Sequence, residues 1–122
     1  MEVFISKGTE DPQTYLEYEV SPNNVTYNAF MFNPSRVLSE GAPFDHAYIH
    51  DPFADGFSIT TTLDKPNQKW TSHSSIPLAL FNEENPRGTK WRMNFFRIIA
   101  GPATLPSQQL CGWKNTGKAS FH

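Results

Sequence analysis

The sequence predicts an all-β domain, a two-sheet antiparallel β-sandwich of jelly-roll or immunoglobulin-like type with one short helical turn. Three observations carry this. Short extended runs recur along the chain, each bounded by Pro, Gly, Asn or Asp clusters. In the best of these runs apolar and polar residues alternate in the manner of a half-buried strand. Ten Phe, four Tyr and three Trp in 122 residues are enough to fill a thin sandwich core and leave rings over as flat contact surfaces.

The elements follow in order. Glu2–Ser6 reads as a strand. Tyr15–Ser21 alternates, with Leu16, Tyr18 and Val20 on one side and Glu17 and Glu19 on the other. Ser21-Pro22-Asn23-Asn24 is a turn, and Val25–Phe32 returns as the second arm of a hairpin. Pro34, Gly41, Pro43, Pro52 and Gly56 break the next stretch into a long loop with one short strand at Ala47–His50. Phe57–Leu63 and Lys69–Ser72 are strands. Ser75–Phe81 suggests a single helical turn capped by Ser75, with Pro77 where a missing amide proton costs little. Lys90–Ala100 is the strongest strand. Trp91, Met93, Phe95, Arg97 and Ile99 share one face, and the apolar residues on both faces suggest a central strand covered on both sides for part of its length. The tail from Gly101 is turn-rich and carries Trp113 and Phe121.

Composition limits the function classes. The chain fits one domain, residues 1–122, with no room for a second ordinary core. Hydrophobic residues at 38% and charged residues at 18% argue against wholesale disorder. A net charge of −2 supplies no general field for nucleic acid or an anionic membrane, so neither is expected as a partner. Cys111 is the single cysteine, which excludes an intrachain disulfide and a thiolate metal cluster. No stretch approaches the roughly 18 apolar residues of a membrane span. The first residues, MEVFISKGTEDP, lack a secretion signal. They suggest either an intracellular protein or a fragment whose signal lay upstream.

Four segments together resemble the family 9-like carbohydrate-binding modules, within the wider group of DOMON-type sandwiches. They are Glu2-Val3-Phe4-Ile5, then Tyr15 to Asn24 (YLEYEVSPNN), then Ile76-Pro77 followed by Trp91 to Arg97 (WRMNFFR), and finally Trp113 with Ser120-Phe121-His122. Their order and spacing cover nearly the whole chain. Members of that family carry further strands before the first segment and beyond the last, so the resemblance implies a domain incomplete at both ends. It also implies non-catalytic binding of a carbohydrate, at the end of an oligosaccharide or polysaccharide, an extracellular location, and a structural calcium ion.

Sugar binding requires flat apolar surface for pyranose C–H faces and polar groups for hydroxyls. By resemblance Trp113 is the stacking ring, in the loop-like setting Cys111 to Asn115, with Glu2, Arg97 and Asn115 as hydroxyl partners. Each has a plainer reading. Trp113 could cover the end of the core, Glu2 could be a strand-edge surface charge, and Arg97 a buried ion-pair partner of Glu17 or Glu19. Trp70 and Trp91 read as core. Asp45 to Asp51 (DHAYIHD) collects potential metal ligands, His46 and His50 for zinc or Asp45, Asp51 and Asp55 for calcium, without the spacing of a recognised metal loop.

Catalysis has little support. A glycosidase needs two carboxylates about 5–10 Å apart across a cleft. With twelve acidic residues some such pair is guaranteed. Two alternatives remain. One is a haem b-binding, DOMON-like electron-transfer module using Met31 or Met93 with a histidine, although Met93 reads as core beside Trp91 and Phe95. The other is a structural or interaction domain with no ligand.

Overall fold

A computed structural model describes residues 1–34, 56–99 and 109–117, together with the backbone of 46–49. The strands are β1 (Glu2–Lys7), β2 (Thr14–Val20), β3 (Thr26–Phe32), β4 (His46–Ile49), β5 (Ser58–Asp64), β6 (Lys69–Ser75), β7 (Trp91–Ile99) and β8 (Gln109–Gly112). They form two antiparallel sheets. One has six strands in the order β4-β3-β2-β1-β7-β8, and the other is the β5-β6 hairpin.

Register follows from alternation. In β1, Val3 and Ile5 lie opposite Tyr18 and Leu16 of β2 and opposite Phe95 and Met93 of β7. A one-residue slip would turn every one of these side chains to the other side. Against this face packs the β5-β6 hairpin. Val3, Ile5, Tyr18 and Val20 join Phe57 and Ile59 in one buried cluster, closed over by Trp70, Trp91, Leu80, Phe81 and Phe95. The rings of Tyr18 and Phe57 meet at 5.5 Å, and those of Phe81 and Trp91 at 5.0 Å, both edge to face. The opposite face of the large sheet carries a second cluster, Tyr15, Ala29 and Met31, flanked by Phe4 and Tyr27.

Several expectations are corrected by pairing. β6 runs on to Ser75, past Ser72, because β5 continues to offer ladder partners as far as Ser58↔Ser75. This overrides the weak strand preference of Ser72-His73-Ser74. With Ser75 held in that ladder, it cannot cap the 3-10 turn at Leu78–Phe81. Pro77 occupies the cap position there, with no side-chain hydrogen bond. The short strand lies at His46–Ile49, one residue before its expected place. β8, four exposed residues (Gln109-Leu110-Cys111-Gly112) too short to show alternation, had no signal, and exists because β7 pairs with it.

β7 is internal to its sheet, as its composition suggests, but it is only partly covered. Met93 remains 46% exposed and Ile98 39%. Met93 lies on the hairpin side, where the two-stranded layer is narrower than the six-stranded one, whereas Ile98 lies on the opposite face. Met93 is therefore not a core residue. Trp70 and Trp91 are half-buried against the core, in line with the sequence reading.

Candidate functional site

The β7-β8 end carries the site. Pairing of Phe96 with Gly112 closes the ladder, and the Trp113 amide then donates to the Phe95 carbonyl at 2.8 Å. This sets the indole on the same face as Phe95. The two rings meet edge to face, with centroids 5.4 Å apart. Trp113 is nonetheless 73% exposed. It is a fixed ring on open surface and not a lid on the core.

Two features that sequence reasoning missed hold this loop. Asn94 uses both ends of its amide on the residue after Trp113. Its Nδ2 donates to the Lys114 carbonyl at 3.0 Å, and its Oδ1 accepts the Lys114 amide at 3.0 Å. Asn94 thus acts as an extra rung beyond the end of β8. Gly112 is the second. A Cβ there would sit 2.9 Å from the Phe96 ring, so only glycine lets β8 lie this close to the ring. The N-G spacing of a hairpin would have been a visible signal; a side chain bridging two strands twenty residues apart is not.

Arg97 lies opposite Cys111 in the ladder, on the same side of the sheet as Phe95, and is exposed. It is not the buried partner of Glu17 or Glu19, because strand alternation puts both glutamates on the opposite face. Asn115 is exposed, and its Oδ1 accepts the Gly117 amide at 2.8 Å. Trp113, Arg97 and Asn115 therefore share the β7-β8 end.

Glu2 does not join them. β1 is internal, between β2 and β7, so Glu2 is neither an edge residue nor exposed. It is 7% exposed, and it pairs with Glu19 across β2. With Glu17, 4% exposed and two residues from Glu19, it forms a carboxylate group on the face away from the hairpin. Burial, then the Glu19 and Glu2 carboxylates, push Glu17 up to about 7. Burial and Glu19 raise Glu2 as well, against a smaller opposing pull from the amino terminus. On the same face, burial and the charge of Glu17 push Tyr15 up to about 12. Split acidities of this kind suit acid-base chemistry in an open cleft, but carboxyls this deeply covered present no surface to a polysaccharide.

Among the described residues no group of three or more potential ligands could hold a metal ion. Asp45, His50, Asp51 and Asp55 lie outside the described residues. Met31, a haem-ligand alternative, is 2% exposed inside the cluster with Tyr15 and Ala29. Among the described residues no helix is long and apolar enough to cross a membrane.

Comparison with known proteins finds a relative from Arthroderma benhamiae named "Extracellular protein", 58% identical over 122 residues, which are all of this chain and 55% of that protein. The chain thus spans about half the length of the curated relative it matches. No family model matches, and no solved structure matches.

Proposed function

We propose that this chain binds carbohydrate without catalysis, with Trp113 as the stacking platform and Arg97 and Asn115 as partners for sugar hydroxyls. The observation that carries the reading is the combination at Trp113. The ring is fixed by Phe95, by its own backbone hydrogen bond and by the Asn94 clamp on Lys114, yet 73% of its surface stays open. A large apolar ring left in water and held rigid is suited to a flat apolar ligand face, because little ordering remains to oppose binding. The C–H face of a pyranose is such a ligand. The exposed guanidinium of Arg97 and the amide of Asn115 supply donors for its hydroxyls. Glu2 has no part in this site.

The resemblance to family 9-like carbohydrate-binding modules supports the same reading, and the name of the extracellular relative supports action outside the cell. The test is tryptophan fluorescence during titration with glucose, cellobiose and xylobiose. A saturable shift is expected, with Trp113→Ala weakening binding at least about tenfold and leaving the thermal midpoint near that of the parent. A folded parent protein that gives no shift with any of these sugars overturns the proposal.

A further inference from the structure

The turn between β2 and β3 leads into the triplet Asn24-Val25-Thr26, an asparagine followed two places on by a threonine with no proline between. That is the acceptor pattern for N-linked oligosaccharides. It occurs once in the 122 residues. Asn33-Pro34-Ser35 has the same ends, but its middle proline excludes it. Such triplets are common by chance, so the case rests on how the fold presents this one.

The turn is built by its own hydrogen bonds. The Asn24 amide donates to the Ser21 carbonyl at 3.0 Å, and the Ser21 amide to the Val25 carbonyl at 2.9 Å. The Val25 amide donates to Ser21 Oγ at 3.0 Å. Asn24 takes φ 61°, a left-handed conformation that asparagine tolerates better than most residues. Conformation alone therefore accounts for an asparagine here and assigns no chemistry.

Presentation adds the chemistry. Asn24 is exposed, and Val25 beside it is 69% exposed. The two ends of the Asn24 amide are used differently. Its Oδ1 accepts Thr61 Oγ1 at 2.7 Å, which clasps the turn to β5. Among the described residues no hydrogen bond engages its Nδ2. The oxygen thus fixes the side chain, and the nitrogen, the atom that carries a glycan, is left over. A glycosylated amide keeps its carbonyl oxygen, so the clasp survives the modification. Thr26 opens β3 opposite Val20, so a substituent on Asn24 Nδ2 displaces no rung of the sheet.

We propose that Asn24 Nδ2 is the attachment site of an N-linked oligosaccharide. The donor class is an oligosaccharide carried on a lipid pyrophosphate. Nδ2 bonds to the anomeric carbon of the first sugar while the bond from that carbon to the phosphate oxygen breaks. The lipid pyrophosphate leaves with the electron pair, Nδ2 gives up one proton, and nothing is oxidised or reduced. The inference shares with the sugar-binding reading only the location outside the cell, and it is independent of the Trp113 surface.

The experiment secretes the whole chain from a yeast host behind a cleavable leader. Its intact mass is read before and after peptide N-glycosidase treatment in heavy-oxygen water. The expected result is an added mass that the enzyme removes, leaving heavy oxygen in the peptide that contains residue 24. Thr26→Val, which keeps the asparagine, its clasp and a β-branched side chain, should lose the glycan. Thr26→Ser should retain it, and Asn24→Gln should lose it. A folded, secreted parent with no enzyme-sensitive mass overturns the proposal, as does a glycan that persists in Thr26→Val. Added mass that resists the enzyme, with residue 24 unlabelled, lies on hydroxyl groups and also overturns it. Sugar titration of the deglycosylated protein is a separate readout, so failure of either reading leaves the other standing.

Discussion

The two faces of the six-stranded sheet are built by the same strands and solve opposite problems. Toward the hairpin, β1 and β2 present Val3, Ile5, Leu16, Tyr18 and Val20, and burial there is apolar against apolar. On the other side the same strands present Glu2, Phe4, Tyr15, Glu17 and Glu19, and burial encloses carboxylates beside aromatic rings. One face is stabilised at any ordinary pH. The other depends on protons. Alternation divides the labour, and a single strand can therefore serve a permanent core and a titrating one.

The largest expected effect is on the apolar face. Leu16 is 1% exposed, and Leu16→Ala should cost about 2–5 kcal/mol through lost burial and a cavity. Denaturant unfolding measures it; a loss below about 1 kcal/mol would mean that this face is not the main core.

The carboxylate face should respond to pH with a definite sign. Glu17 holds its proton up to about 7, whereas an exposed glutamate loses it near 4.5. Its folded form is therefore favoured by a contribution complete below about pH 4.5 and lost as pH rises through about 7. That contribution is on the order of 2 kcal/mol, and Glu2 adds to it in the same direction. Thermal midpoints should fall between pH 4.5 and 8. Glu17→Gln should flatten most of this slope and raise the midpoint at pH 8. An unchanged slope in that variant would place the pH dependence elsewhere.

Smaller effects are expected where the two faces meet the β7-β8 end. Gly112→Ala must displace the Phe96 ring, at a cost of about 1–3 kcal/mol, and should loosen the loop that carries Trp113. Asn94→Ala removes two hydrogen bonds to Lys114, costing about 1 kcal/mol. Both should weaken sugar binding more than their effect on stability accounts for, through mobility of an untouched indole. Fluorescence anisotropy of Trp113 in a Trp70→Phe/Trp91→Phe background would report it. A loop that stays rigid in Asn94→Ala would show that Phe95 alone fixes the ring.

Periodicity made much of this legible. The alternation in Tyr15–Ser21 and Lys90–Ala100 gave both strands to within a residue or so, and it correctly separated Leu16, Tyr18 and Val20 from Glu17 and Glu19. It also marked Trp113 as a ring in a loop-like setting. What alternation cannot say is which strands become neighbours. Glu2 looked like an edge charge until β7 closed on the far side of β1, and Arg97 looked like a partner for Glu17 until register put them on opposite faces. β8 was invisible because four exposed residues, Gln109 to Gly112, are too few to carry a periodic signature and form a strand by pairing alone.

The division has one physical cause. Side-chain direction along a strand is a local property, repeating every second residue, and the sequence by itself determined it, along with the all-β class, the turns and the supply of aromatic rings. Strand order, the width of the covering layer and the close approach at Gly112 depend on contacts between residues far apart in the chain. Only the tertiary structure decided those, and with them which carboxylates are buried, which apolar residues remain in water, and where a fixed indole faces solvent.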